Sequence, residues 1–303
     1  MKAQDYINKL NTQNLSQILY EYPITADFLA NYRIENVSKE LPVSEAFSNI
    51  NPEILEEFGL DSYELLQNLS LFLENLTETE SSIHKVSTIT GYFKNIASFI
   101  IPKLEGCSTL CDIGCGLGLI DMELCKYIDS ITCIDINQEA IKALEKNIKD
   151  KNILNISPRL IDCDDMKENW DVIFLSLFGS RNLKEFLPYC KKLIAVVGSK
   201  NQNGLFPEKY RSFYKNTSAN VEEALNRDGI SYNLTEVSFE FGQPLLSIED
   251  AKNFVRAHSR NSITTEDLEQ FLSQRLIETG EKQYPYFIPR MKSVGIFEIQ
   301  GDL

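Results

Sequence analysis

The sequence predicts an α/β fold: a doubly wound, mostly parallel sheet behind a small, acidic, all-α N-terminal domain. Three observations carry that expectation. Leu110 to Gly118 reads Leu-Cys-Asp-Ile-Gly-Cys-Gly-Leu-Gly, a buried strand running into a glycine-rich turn. A second apolar stretch, Ile131 to Ile136, contains Asp135 seventeen residues after Gly118. From there apolar strands alternate with amphipathic helical stretches, as in successive βαβ units.

The first 80 residues read as short helices. Leu15, Ile18, Leu19 and Tyr22 recur at helical spacing before Pro23, and Phe28, Leu29 and Tyr32 continue the pattern. Pro42 and Pro52 look like first-turn prolines. Asp61 reads as the N-cap of a helix from Ser62 to Leu76 with Leu65, Leu66, Leu69 and Leu73 inward. Thr77 to Ser82 is polar and reads as a linker, so the domains are expected at 1–80 and 81–303. Tyr92, Phe93, Ile96, Phe99 and Ile100 then form one face of a helix that ends near Pro102.

Strands are expected at Thr109–Ile113, Ile131–Ile136, Ile156–Ile161, Asp171–Ser176 and Leu193–Val197. The last is wholly apolar, as a strand covered on both faces should be. A helix of roughly Leu119 to Tyr127 follows the glycine turn. Another, Gln138 to Lys149, carries Ile141, Leu144 and Ile148 on one face. Tyr210 to Asn226 reads as largely helical, and Tyr232–Phe241 and Ser293–Ile299 as the final strands. Between those two lies an insertion of 49 residues, Gly242 to Arg290. Within it Ser247-Ile-Glu-Asp looks like a capping box opening a helix through Ala257, and Thr264 caps a second helix to Glu278. An insertion of that length at a ligand edge suits a lid or a stabilising embellishment.

The chemistry starts at the turn. Glycines at 114, 116 and 118 let the backbone bend tightly and approach a ligand where a Cβ would collide. A carboxylate at Asp135 can accept from both hydroxyls of a ribose. The dinucleotide fingerprint G-x-G-x-x-G would place its third glycine at Leu119, and this chain does not. It has Asp-x-Gly-x-Gly-x-Gly beginning at Asp112.

That pattern resembles motif I of the class I S-adenosylmethionine-dependent methyltransferases, and Asp135 falls where that family's ribose acid falls. The resemblance implies a seven-stranded sheet whose last two strands pair antiparallel at one edge. It also implies S-adenosylmethionine as cofactor. Gly114, Cys115, Gly116 and Gly118 would contact the methionine moiety, and Asp112 would order the turn. Asp135 would take the ribose diol with Ile136 beside it. Asp162 would accept from the adenine amino group, with the Cys163 N–H at the ring, and Asp164 and Asp165 compete for Asp162's role. Ser176 would lie beneath the methyl group. Phe178, Arg181, His258 and Tyr286 are candidate substrate contacts by position, as are Glu240 and Gln243, and His84, Tyr92 and Lys94 border the site. No catalytic residue is assigned, because methyl transfer asks for alignment and a dry site, and for a base only when the nucleophile must lose a proton. Aminopropyl-type transfer from the same cofactor and a non-catalytic cofactor-binding or docking module are the alternatives. The motif that marks amino-group methylation of DNA bases is missing; Ser176-Leu-Phe-Gly-Ser stands in its place.

Leu15-x-x-Ile-Leu-x-x-Tyr-Pro, Phe28-Leu-x-x-Tyr-x-Ile34 and Gly59-Leu-Asp-x-x-Glu-Leu-Leu66 resemble the N-terminal helical module of iron–sulfur-cluster repair proteins. Their cysteine pair is replaced here by Glu35-Asn-Val. No metal is therefore expected.

Composition bounds the partners. Residues 1–80 hold 4 Lys/Arg and 14 Asp/Glu, a net of −10 out of −14 for the chain. That argues against nucleic acid, which needs clustered cations, and leaves a solvated surface or a protein-docking role for the first domain. The expected acceptor is a small molecule. No apolar run reaches the roughly 18 residues of a membrane span, and the N-terminus lacks a signal-peptide core, so a cytoplasmic location is expected. All seven cysteines lie beyond residue 100, an odd number and mostly in strands, which suits small buried hydrophobes rather than disulfides.

Overall fold

A computed structural model describes residues 3–21, 25, 28, 29, 32, 34, 37–56, 60–70, 73, 86, 89–177, 182–199, 204–210, 217–259 and 263–303. The chain divides into two compact units, Met1–Ile83 and His84–Leu303.

In the first unit the described elements are α1 (Ala3–Thr12), α2 (Leu15–Glu21), α3 (Val43–Ser48), α4 (Pro52–Glu56) and α5 (residues 62–70). Pro42 sits just ahead of α3 and Pro52 opens α4, where the missing N–H has no intrahelical partner to lose. Asp61 caps α5 reciprocally. The Glu64 N–H donates to Asp61 Oδ1 at 2.7 Å and the Asp61 N–H to Glu64 Oε2 at 3.0 Å. Apolar faces meet in one cluster that includes Tyr6, Leu15, Ile18, Phe28, Phe47 and Leu69. The linker expected at Thr77–Ser82 lies outside the described residues.

The second unit begins with α6 (Tyr92–Ile100), opened by Gly91 at φ 64°. Then follow β1 (Thr109–Ile113), α7 (Asp121–Leu124), β2 (Ser130–Asp135), α8 (Gln138–Asp150), β3 (Ile156–Leu160), β4 (Trp170–Ser176), β5 (Cys190–Gly198) and α9 (Ser218–Arg227). After β6 (Tyr232–Glu240) the chain makes β7 (Gln243–Leu245), α10 (Ile248–His258), α11 (Thr265–Arg275), β8 (Ile277–Glu278), β9 (Tyr286–Ile288) and β10 (Met291–Gln300). The main sheet runs β3-β2-β1-β4-β5-β10-β6, with β10 antiparallel to both neighbours and the other pairs parallel. The strand order reverses between β1 and β4, so a crevice opens at their carboxyl ends. Alternation along the strands feeds two cores, with Leu110, Ile131, Val172 and Ile194 on one face and Cys111, Ile113, Ile173 and Leu193 on the other.

Two expectations are corrected. The helix after the turn spans four residues, not Leu119 to Tyr127. Hydrogen bonds from Met122 to Gly118 and from Cys125 to Asp121 extend it, but Tyr127 bonds back to Leu124 and closes it, because five residues must then reverse the chain into β2. The second insertion helix stops at Arg275 rather than Glu278, since Ile277 and Glu278 pair with Phe287 and Tyr286. The resulting sheet, β7-β9-β8, has strands too short for alternation to show in sequence. Of the stretch from Tyr210 to Asn226, residues 211–216 lie outside the described set.

Candidate functional site

The turn after β1 is held open from behind. Gly114, Gly116 and Gly118 have φ of 72°, 53° and 62°, all in the left-handed region that other L-residues pay to enter. They are not equivalent. A Cβ on Gly118 would lie 2.5 Å from Leu144 Cδ1 of α8, so this glycine lets helix and turn pack. A Cβ on Gly116 would meet nothing within 4 Å, so this glycine faces open space and leaves room for a ligand at the backbone.

The turn's amides are tied to β2. The N–H groups of Gly114 and Cys115 donate to Ile134 O at 2.8 and 3.2 Å. The Gly116 N–H donates to Asp135 Oδ2 at 2.9 Å, and the Asn137 N–H to Asp135 Oδ1 at 2.8 Å. Asp135 therefore clamps the turn to the start of α8, and partial burial raises its pKa against those bonds. Each oxygen keeps a second lone pair for a hydroxyl donor. Ile136, next along, is exposed and presents apolar surface.

Asp112 and Asp121 form a feature the sequence reading missed. Asp112 lies in β1 and Asp121 opens α7; both are buried, and Asp112 Oδ1 and both oxygens of Asp121 have no protein N–H or O–H donor. Two buried carboxyls next to each other in the core cannot both carry charge cheaply. Desolvation, then the neighbouring Asp121 charge, pushes Asp112 well above the carboxylate range, and desolvation pushes Asp121 to about 6. The only signal in sequence is an acid in the otherwise apolar run Leu119-Ile-Asp-Met.

Beyond β3, Asp162 accepts from the Asp164 N–H at 3.0 Å and caps a short 3₁₀ turn. That separates it from Asp164 and Asp165, which sit within the turn it caps. Asp162, Asp164 and Asp165 are exposed, and Cys163 is half-buried. At the end of β4 Ser176 is half-buried, and Leu177 has φ 55°, a strained conformation for a branched side chain, beside the crevice. Nothing in the sequence signals it.

The candidate acceptor contacts disperse. Phe178, Arg181 and His84 lie outside the described residues. His258 ends α10, its ring 4.0 Å from that of Phe254 and its Nδ1 2.8 Å from Phe254 O. Packing, then the Arg290 charge, holds its pKa below the ordinary imidazole value. Tyr286 lines a groove with Ile248 and Lys252, ten and six residues before His258 on α10, about 15 and 9 Å along the helix axis. Among the described residues no hydrogen bond or ring contact joins His258 and Tyr286. Tyr92 is buried, while Lys94 and Glu240 are exposed and Gln243 is half-buried in β7.

Comparison with known proteins points the same way. Residues 110–198 match the family described as methyltransferase domain. The chain is 36% identical over 96 residues to the ribosomal RNA small subunit methyltransferase A of Wigglesworthia glossinidia brevipalpis, covering 32% of this chain and 34% of that one. It is 25% identical over 218 residues to tRNA (guanine(37)-N(1))-methyltransferase Trm5b of Pyrococcus abyssi, covering 64% of each. It is 21% identical over 170 residues to a protein of Methanococcus vannielii named "Probable cobalt-precorrin-6B C(15)-methyltransferase (decarboxylating)", covering 55% of this chain and 89% of that one. The chain spans about a third of the first relative's length and 64% of the second's.

Proposed function

From a chain that carries a Rossmann-like methyltransferase domain, we propose an enzyme that moves a methyl group from S-adenosylmethionine to a small-molecule acceptor. The observation that carries this reading is the turn itself, open to a ligand at Gly116 and backed by Asp135. The residues fit the cofactor. Asp135 accepts from the ribose hydroxyls, and Ile136 lies against the base. Asp162 and the Cys163 N–H meet the adenine edge, while Gly114, Cys115 and Gly118 shape the bed of the amino-acid tail over Asp112. When bound, S-adenosylmethionine supplies a methyl carbon made electrophilic by its sulfonium. The chain aligns the acceptor over Ser176 and excludes water, with residues 242–290 as the cover. In this reading Phe178 and Arg181 are acceptor contacts.

The relatives named for ribosomal and transfer RNA favour a second reading, with RNA as acceptor. The net charge of −14 opposes it, since each phosphate contact needs a cation. Incubation of the protein with a cell extract and methyl-labelled cofactor tests both. Label in the small-molecule fraction supports the proposal, label in RNA supports the second reading, and no label in any fraction leaves a binding module. Docking of a protein on the acidic first unit is part of the proposal, and a partner pulled down by residues 1–80 alone is its test.

A further inference from the structure

Beside the glycine turn two carboxyls lie in the core without donors of their own. Asp112 stands in β1 two residues before Gly114, where β1 pairs with Cys133 of β2 and Phe174 of β4. Asp121 opens α7 three residues after Gly118, and the Met122 N–H ties the start of that helix to Gly118 O at 3.0 Å. The pair therefore flanks the turn at both of its ends. Asp121 is fully buried and Asp112 is 3% exposed. Asp112 Oδ1 and both oxygens of Asp121 meet no N–H or O–H donor.

The surroundings bring the pair no positive charge. The turn contributes Cys115, and β2 contributes Cys133 and Asp135. Burial keeps the Cys133 thiol protonated. Cys133 pulls the Cys115 thiol down, but burial and the nearby carboxylates leave it above the ordinary value. Asp135 adds negative charge. α6 and β4 pack in the same core, and no charged group of either acts on Asp112 or Asp121. Among the described residues no third ligand atom gathers with these two carboxyls as a metal would require. Held in the core without a cation, the pair keeps a proton at neutral pH.

S-adenosylmethionine and S-adenosylhomocysteine both end in an amino-acid tail whose amino group is an ammonium at neutral pH. A cation set near a buried acid favours its charged form, and ammonium N–H groups are donors of the kind these oxygens lack. We propose that the Asp112–Asp121 pair makes cofactor binding proton-linked: the ammonium of the arriving tail displaces one proton from the pair to solvent, with Asp121 acting through Asp112 as a positioning residue. This rests on the reading of the turn as the bed of the cofactor's tail. The bound state then holds fewer protons than the free one, so binding strengthens as pH rises and weakens as it falls.

Isothermal titration of the full chain with S-adenosylhomocysteine near pH 7, in phosphate and in Tris, reads the protons exchanged, because the two buffers differ in heat of ionisation. The control is 5′-methylthioadenosine, which keeps the adenosine and lacks the amino-acid tail; it reports any proton moved at Asp135 by the ribose. The expected result is release of roughly half to one proton with S-adenosylhomocysteine and none with the control, and an affinity for S-adenosylhomocysteine that rises by up to about tenfold per pH unit between pH 6 and 8. Asp121→Asn leaves Asp112 a single acid with an amide donor beside it, and should bind S-adenosylhomocysteine without releasing a proton. A merely structural Asp121 would change stability and not the proton count. Heats that do not depend on the buffer, equal release with 5′-methylthioadenosine, or undiminished release in folded Asp121→Asn overturn the proposal and leave the methyl-transfer reading standing. If the variant does not fold, the comparison of the two ligands on the parent chain decides alone. Absence of saturable S-adenosylhomocysteine binding overturns both.

Discussion

Asp112 and Asp121 show how a residue-level conflict can be built into a site. Two neighbouring buried carboxyls favour the protonated form in the folded chain and not in the unfolded one. Both folded pKa values lie above the ordinary value, so the folded state holds extra protons between about pH 4 and the raised values. Stability from this pair is therefore full at low pH and is lost as pH rises through about 6 and beyond. Asp121→Asn removes one charge and gives Asp112 an N–H donor. Thermal unfolding should find it more stable than the parent by about 1–3 kcal/mol at pH 8, with the gap closing toward pH 5. A constant gap across that range would mean that neither group titrates above the ordinary carboxylate range. Asp135 is the opposite case, an acid whose oxygens are all put to use. Asp135→Ala should weaken S-adenosylhomocysteine binding by about 2–4 kcal/mol, roughly 30- to 1000-fold, for the loss of two charge-assisted bonds. A folded variant that binds within about twofold of the parent would remove Asp135 from the site. The sequence made Asp135 legible because its spacing from the glycines is set by one strand–helix–strand unit. Asp121 and Leu177 were not legible, since burial of an acid and a left-handed leucine are consequences of tertiary packing.

Among the elements, the insertion between β6 and β10 carries the clearest functional claim. Leu245, Ala251, Val255, Leu268, Leu272 and Ile288 give it a core of its own, joined by Leu205 from the segment after β5. Lys209 and the Tyr210 hydroxyl fasten that segment to Asp267 of α11 at 2.6 and 2.5 Å. The insertion leaves and re-enters the sheet at the ligand side, and α10 ends with His258 close enough to feel the Arg290 charge. If it closes over bound ligands, amide exchange in α10, α11 and β9 should slow when S-adenosylhomocysteine and an acceptor bind together. Unchanged exchange there would make the insertion scaffold. Its helices were foreshadowed by Ser247 and Thr264, which do cap: the Asp250 N–H donates to Ser247 Oγ at 3.0 Å and the Asp267 N–H to Thr264 Oγ1 at 3.2 Å. Its sheet was not, because two- and three-residue strands are specified by their partners rather than by their own pattern.

For the molecule as a whole, the sequence pattern showed five strands alternating with connections and two long strands after them, while the seven-stranded sheet with its last two strands antiparallel at one edge was what the resemblance implied; β10 lies between β5 and the edge strand β6. The acceptor was not legible at this scale, since the residues that would meet it come from separate loops and some lie outside the described set. Among the described residues no helix is long and apolar enough to cross a membrane. The first unit carries a net charge of −10 and none of the glycine-turn residues. A chain beginning at Ser81 should therefore bind the cofactor as the full chain does; a folded truncation that does not bind would give the first unit a part in the site. The central claim is that the turn from Asp112 to Gly118, clamped by Asp135, holds S-adenosylmethionine and not a dinucleotide. Isothermal titration of the full chain with S-adenosylhomocysteine and, separately, with NAD tests it most directly. The account predicts saturable binding of S-adenosylhomocysteine and none of NAD, and tight NAD binding without S-adenosylhomocysteine binding would contradict it.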